Sequence, residues 1–322
     1  MSEIGTNYTP LKEKHLLTYS AISAFLDCSR AYYWRYVQQL APLATHPPFE
    51  FGRLIHEALA RYYNGEDPHD IIETVRGATP DPNNPVTSLI AHRMIEGYIN
   101  HYPLDDHTLS EIERQFCLKL TSPRSGRCSR TFNVAGKVDG IAITPEGTHT
   151  LIEHKTTAYT NGNNFDQLWS NYQVRFYAHC LNLLDYEITD ICYNLLTKPP
   201  IRQGKHETLE AFDERLKCFY AGELLNRAGE PYVPFTRTML LYDRLDTHQV
   251  AHQVWDVASW IRQCLYHRRW PQNTRSCHRF AHSECRYMPI CESCDNPIII
   301  DNQYVLTPPH EELDLTAPEM TI

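Results

Sequence analysis

Two short runs of branched apolar residues, close together in the chain, constrain this fold more than any other feature. Val134-Ala-Gly-Lys-Val-Asp-Gly-Ile-Ala-Ile143 and His149-Thr-Leu-Ile-Glu-His-Lys155 both have β-strand composition, and the turn-forming Thr144-Pro-Glu-Gly147 joins them, which predicts a hairpin. Side chains alternate across a strand, so Glu153 and Lys155 share one face while Ile152 and His154 share the other. Asp139 on the first strand can then meet both Glu153 and Lys155. Hard cations such as Mg²⁺ favour carboxylate oxygens and keep several waters, and a nearby ammonium can orient or deprotonate such a water for attack on phosphorus.

An E-x-K tripeptide also fits any exposed hairpin, so its meaning depends on what surrounds it. Phe51-Gly-Arg-Leu-Ile-His-Glu-Ala-Leu-Ala-Arg-Tyr-Tyr63 has apolar residues at helical spacing, and its His56 could complete a metal shell. Gln173-Val-Arg-Phe-Tyr177 lies in a helix expected from about Phe165 to Leu184, where Gln173 and Tyr177 stand one turn apart on one face and could hold DNA phosphate or a water. Taken singly, His56 reads equally as a core or surface histidine, and Tyr177 as part of an ordinary amphipathic face.

The ordered set resembles the RecB-type nucleases of the PD-(D/E)XK superfamily, in particular the iron-sulfur branch that includes the CRISPR-associated exonucleases and many phage proteins. The likeness spans most of the chain. The family's helical G-x-x-x-H matches Gly52 to His56, its motif aspartate Asp139, its E-x-K Glu153 and Lys155, and its Q-x-x-x-Y Gln173 and Tyr177. What the resemblance implies is an α/β fold, a restriction-endonuclease-like core whose central mixed sheet is flanked by helices. It further implies Mg²⁺ or Mn²⁺ held by His56, Asp139, Glu153 and the backbone carbonyl of His154, with Lys155 acting on the water, and cleavage products carrying a 5′-phosphate.

Cysteine usage is a second, independent line. The chain has eleven Cys and no hydrophobic run suited to a secretory signal or membrane span, so the expected compartment is the reducing cytoplasm, where clustered thiols point to metal rather than disulfides. Cys277, Cys285, Cys291 and Cys294 are clustered near the C-terminus, and Cys28 stands alone in Ser20-Ala-Ile-Ser-Ala-Phe-Leu-Asp-Cys28. In the iron-sulfur nucleases one N-terminal Cys joins three C-terminal ones around a cubane, a pattern that resembles Cys28, Cys277, Cys285 and Cys291. A local site of the four C-terminal Cys is the rival arrangement, and thiolates suit Zn²⁺ as well as [4Fe-4S]. A cluster built on Cys28 would staple the N-terminal helix to the C-terminal cysteines.

With a formal net charge of -9 the chain cannot be coated uniformly in positive charge, so phosphate attraction has to be local. The stretch from Arg262 to Arg279 contains five Arg, including Arg268 and Arg269, no acidic residue, and interleaved aromatics, a composition suited either to single-stranded DNA or to a solvated helix end. Aromatics of Arg30-Ala-Tyr-Tyr-Trp-Arg35 fit a core better than a DNA platform. No G-x-x-x-x-G-K-[ST] loop is present, which argues against an ATP-driven activity.

The remaining pattern predicts a helix capped by Ser20, a loop over Gly77 to Pro85, a helix from Val86 to Ile99 and strands over Ile112 to Leu120 and Ile188 to Leu196, with a further segment over Tyr232 to Leu241. A polar helical excursion over Glu207 to Arg227 could be a lid, a DNA clamp or a partner surface, and a helix runs from Asp243 to His267. Expected overall are one nuclease domain over residues 1–300 with helical insertions and an acidic, flexible tail over 301–322. The implied activity is a single-stranded DNA exonuclease of repair, recombination, phage replication or CRISPR adaptation, working in a larger complex. An endonuclease of the same fold, and a non-catalytic DNA-binding module, are the alternatives.

Overall fold

The computed structural model describes residues 15–44, 47–103, 109–144, 146–158, 171–242, 245–280, 283–317 and 320. Its strands are β1 (His15–Leu17), β2 (Leu40–Pro42), β3 (Leu109–Thr121), β4 (Cys128–Ile143), β5 (His149–Ala158), β6 (Ile188–Lys198), β7 (Phe235–Leu241), β8 (His278–Phe280), β9 (Ser283–Glu284) and β10 (Tyr304–Leu306). The helices are α1 (Tyr19–Asp27), α2 (Ser29–Tyr32), α3 (Pro47–Tyr63), α4 (Pro68–Gly77), α5 (Pro85–His101), α6 (Tyr172–Asn182), α7 (Leu209–Tyr220), α8 (Leu245–His267), α9 (Met288–Glu292) and α10 (Pro297–Gln303). A π-helical turn, Tyr33–Val37, follows α2. The chain divides into two compact units: residues 1–45, 115–137 and 244–322, and residues 46–114 and 138–243. The boundary passes through β3 and β4, which at 13 and 16 residues are long enough to serve two cores.

The second unit is built on a mixed sheet. β4 and β5 pair antiparallel from Ile143↔His149 to Gly140↔Ile152, β5 and β6 pair parallel, and β6 and β7 antiparallel. The parallel pair requires a crossover, which α6 supplies. β6 is buried from Ile191 to Leu196 on both faces, as expected of a strand covered from two sides. Against one face lie α3, α4, α5 and α7, whose Phe51, Ile55, Leu59, Tyr62, Ile71, Met94, Ile95, Tyr98 and Phe219 form one apolar core with Leu196 and Phe235. Gly97 is required there, because a Cβ would stand 2.7 Å from the Tyr220 Cβ where α5 meets α7. Arg93 locks the same pair of helices, its Nε donating to Asp213 Oδ1 at 2.6 Å.

That packing decides the excursion left open by the sequence. Phe212, Leu216, Phe219 and Tyr220 are buried, so the inner face of α7 is core. α4, which the sequence reading missed, carries a readable start signal in Asp67-Pro68: Asp67 accepts from the His69 N–H at 2.8 Å and Pro68 occupies the first turn. α6 begins at Tyr172, capped by Asn171, whose side chain accepts from the Gln173 N–H at 3.0 Å; Phe165 to Ser170 lie outside the described residues.

In the first unit β1 pairs parallel with the start of β4, His15 to Leu17 against Phe132 to Val134. α1 is capped by Thr18 rather than Ser20, the Thr18 hydroxyl accepting from the Ala21 N–H at 3.2 Å, because Tyr19 and Ser20 are already helical. Trp34, Leu40, Tyr287, Ile290 and Tyr304 form a compact core. The described part of the segment over 301–322 is paired and hydrogen-bonded. β10 pairs antiparallel with β2, Arg35 donates to the Pro308 carbonyl at 3.0 Å and pairs with Glu311 at 3.1 Å, and the Asp314 N–H donates to the Gln115 side chain at 2.8 Å. Backbone pairing and a few anchors, buried Tyr304 and Leu313 among them, hold a segment too poor in apolar residues to be recognised by hydropathy.

Candidate active site

The β4 and β5 ladder ends at Gly140↔Ile152, one residue short of the point where Asp139 and Glu153 would face each other. Beyond it the backbone N–H of His154 donates to Asp139 Oδ2 at 2.7 Å, so a carboxylate takes the place of a ladder carbonyl. The other oxygen, Asp139 Oδ1, lies 3.1 Å from His56 Nδ1, delivered by α3. Helical spacing explains the delivery: Phe51, Ile55, Ala58, Leu59 and Tyr62 are buried, which leaves His56 on the flank of the apolar stripe. Gly52, by contrast, answers no steric demand, since a Cβ there would meet Thr156 Oγ1 at an ordinary 3.8 Å.

Burial would push the Asp139 carboxyl up, but the charge and hydrogen bond of His56, the His154 ring and the His154 N–H outweigh it and hold the group down to about 2. Glu153 goes the other way. It is buried, burial raises it first and the Asp139 charge second, and Lys155 and His56 offset only part, leaving it pushed up to about 8. Burial lowers His56, yet Asp139, Glu153 and Glu113 outweigh it and its pKa is raised. His154 is buried and burial brings it down to about 4, so its ring is neutral. A buried carboxyl holding a proton beside a half-buried carboxylate is the arrangement that a cation relieves, and the donor set of one imidazole, two carboxylates and a backbone carbonyl is one that Mg²⁺ or Mn²⁺ accepts. Among the described residues no group of three or more His, Cys, Asp or Glu is placed to hold a metal ion.

The sign of the Glu153 shift has a measurable consequence. A carboxyl raised in the folded state binds its proton more tightly there than in the unfolded chain, where the ordinary value is 4.5, so its contribution to stability falls as pH rises from about 4.5 towards about 8. His56, raised from 6.5, acts in the same direction above that value. Thermal unfolding of the metal-free protein in EDTA is expected to drop across this window, and Glu153→Gln to unfold at higher temperature than the parent at pH 8 and to lose less between pH 5 and 8. Parallel curves for the two proteins would show that Glu153 is an ordinary carboxylate.

Lys155 is exposed, on the same face as Glu153 and close enough to lower its pKa. Gln173 and Tyr177 lie on α6, Gln173 half-buried in its first turn and Tyr177 buried. Their helix is tied beside the site by two residues that carry no motif: Tyr193, which pairs with Glu153 in the β5 and β6 ladder, accepts from the side chain of Asn171, the α6 cap, at 3.1 Å. Glu113 was also missed. It sits inside β3 with a left-handed backbone, φ 53°, a conformation that re-aims a side chain, and it acts on His56; nothing in Ile112-Glu-Arg-Gln distinguishes it from an ordinary strand carboxylate.

Cys28, Cys277, Cys285 and Cys291 all belong to the first unit. Burial raises the Cys285 thiol, and Cys277 and Cys28 raise it further; burial raises Cys291, to which Cys285 and Cys28 add. Cys285 therefore lies within electrostatic reach of Cys28, Cys277 and Cys291, whereas Cys294 is exposed. The Asn273 N–H donates to Cys28 Sγ at 3.4 Å, the Tyr287 N–H to Cys285, and the buried Trp34 indole N–H, which has no conventional partner, faces Cys291. Asp27 and Ser29 bind Asn273, Ser276 and the Pro271 carbonyl at 2.6–2.8 Å, fastening the end of α1 to the segment that carries Cys277. Such N–H groups suit sulfur bearing negative charge.

Arg268 and Arg269 are exposed at the end of α8, in the first unit. Of the aromatics between the arginines, Tyr266 is open to solvent, but Trp270 is buried and stacks on Tyr32 at 5.8 Å, so it packs the core beside Cys28 and offers no platform for a base. Tyr32 and Trp34 are core as well. No helix among the described residues is long and apolar enough to cross a membrane.

A family model described as the PD-(D/E)XK nuclease superfamily matches residues 16–292. No curated protein matches the chain. Among solved structures, the crystal structure of SSO0001 is 13% identical with a TM-score of 0.38, covering 88% of each chain. The structure of a "Putative exonuclease" from Eubacterium rectale is 11% identical with a TM-score of 0.48, covering 88% of this chain and 94% of the other.

Proposed function

This chain belongs to the PD-(D/E)XK nuclease superfamily, and from that premise we propose that it is a metal-dependent deoxyribonuclease acting on single-stranded DNA, with exonuclease as the favoured mode. The observation that carries the reading is the pairing of half-buried Asp139 with buried Glu153 where β4 and β5 part, with His56 bonded to one member and Lys155 beside the other. His56, Asp139, Glu153 and the carbonyl of His154 would hold Mg²⁺ or Mn²⁺. The bound ion supplies positive charge that offsets charge developing on the phosphate. The chain's residues do the rest. Lys155 donates a hydrogen bond that holds a water in line with phosphorus, Asp139 stays ionised and fixes His56, and Glu153 gives up its proton when the ion enters. Gln173 and Tyr177 contact phosphate at the first turns of α6, and the exposed Arg268 and Arg269 supply local charge for the strand.

Cys28, Cys277, Cys285 and Cys291 would hold a [4Fe-4S] cluster with a structural role. A brown protein absorbing in the visible blue after anaerobic purification supports this; a colourless protein containing zinc refutes it. For the activity, end-labelled linear and circular single-stranded DNA are incubated with the purified protein and Mg²⁺, Mn²⁺ or EDTA. Expected is release of labelled nucleotides from linear DNA with either metal, none with EDTA and none from circles. Cut circles would make the enzyme an endonuclease, and binding without cleavage under every metal would refute the nuclease reading.

A further inference from the structure

The middle residue of Glu153-His154-Lys155 faces away from Glu153 and Lys155, yet its side chain is the most heavily tied of the three. The His154 ring stacks on Tyr63 with centroids 5.6 Å apart and planes 16° apart. Its Nδ1 lies 2.8 Å from the side-chain amide of Asn194, a hydrogen bond whose direction follows the imidazole tautomer. Asn194, fully buried on β6, places its amide nitrogen 2.6 Å from the Tyr98 hydroxyl on α5. The Tyr98 and Tyr63 hydroxyls are 2.6 Å apart, and Arg237 on β7 donates to both, at 3.1 and 2.9 Å, while lying over the Tyr102 ring at 3.5 Å. The network therefore ties β5 to α3, α5, β6 and β7. α3 supplies it with Tyr63 two turns after His56, on the same side of the helix.

We propose that the Asn194, Tyr98, Tyr63 and Arg237 network is a positioning device for the metal site, acting through the His154 side chain, although none of the four faces the metal. The inference rests on the nuclease reading of that site. Its physical basis is the end of the ladder at Gly140↔Ile152. Past that point β5 has no β4 carbonyl to hold it, and the His154 N–H binds the Asp139 carboxylate instead. The Glu153 carboxylate, the His154 carbonyl and the donor that aims Asp139 all hang on a few residues of backbone whose remaining support is the β6 ladder and the clamped His154 ring. Groups that orient metal ligands from behind change metal affinity by about 10 to 100-fold when removed.

The test is Mn²⁺ affinity, measured by calorimetry and by the electron-spin signal of free Mn²⁺, on the full chain without DNA. Asn194→Leu removes the bond to His154 at similar volume, and Tyr63→Phe keeps the stacked ring but removes the hydroxyl between Arg237 and Tyr98. Expected is a loss of about 10-fold or more in Mn²⁺ affinity for Asn194→Leu and a smaller loss for Tyr63→Phe. A merely structural role lowers the unfolding temperature in EDTA while leaving the affinity of the folded protein unchanged. Affinities within about 2-fold of the parent for both variants overturn the inference. If Asn194→Leu does not fold, Tyr63→Phe and Arg237→Gln decide it. Asp139→Ala is measured alongside: a parent that binds no Mn²⁺, or binds it as well without Asp139, breaks the nuclease reading, whereas tight parent binding lost in Asp139→Ala but kept in the network variants breaks only this inference.

Discussion

Asp139→Ala is expected to lose metal-dependent cleavage by about 10³-fold or more, because the charge stabilisation supplied by a bound cation is worth several kcal/mol in the transition state. Three things fail together. One of two carboxylates is gone, the His154 N–H loses the acceptor 2.7 Å away, and His56 loses the partner at 3.1 Å that fixes its ring. The variant should also stop binding Mn²⁺ in calorimetry. A second effect separates this account from simple unfolding. Asp139 is the main charge raising Glu153, after burial, so its removal should bring Glu153 back towards the ordinary carboxylate range and flatten the stability loss of the metal-free protein between pH 5 and 8. A variant that still cleaves, or that keeps the parent's pH dependence, contradicts the placement of these residues.

The second large effect concerns Cys28. Cys28→Ala is expected to strip the iron and the visible absorption and to lower the unfolding temperature by about 10 °C, since loss of a metal site is among the few single-residue changes that cost about 4 kcal/mol or more. The reason lies in the connectivity. The end of α1 is fastened to the Cys277 segment by the Asp27, Ser29 and Asn273 hydrogen bonds, and Cys28 stands within electrostatic reach of Cys285. Cys294→Ala, exposed and outside the set, is the control and should keep its iron. Iron retained in Cys28→Ala but lost in Cys294→Ala would establish the local arrangement of the four C-terminal cysteines instead.

Much of this was legible before any coordinates. The hairpin carrying Asp139 and Glu153 follows from branched residues either side of a turn, and the His56 helix from its apolar spacing, because in both the burial pattern repeats with the period of the element. The end of the β4 and β5 ladder could not be read, since nothing in the sequence says at which residue two strands part. Nor could the network behind His154: Tyr63, Tyr98, Asn194 and Arg237 come from four elements, and each alone looks like an ordinary aromatic or polar residue. Glu113 escaped because its significance is a backbone conformation. The strand Tyr304–Leu306 was not legible because hydropathy does not register a strand held by backbone pairing to β2. Trp270, interleaved with arginines, read as part of a DNA surface until its burial against Tyr32 was seen.

Lys155 tests the central claim most directly. It is exposed, so Lys155→Ala should leave the fold as it is, which unfolding temperature will report, with Mn²⁺ affinity measured alongside. Single-turnover cleavage of end-labelled single-stranded DNA with saturating Mn²⁺ is then compared in parent and variant. The account predicts cleavage by the parent and loss by about 10² to 10³-fold in Lys155→Ala, the size expected for one group that orients the attacking water. Parent and variant cleaving at the same rate would contradict it.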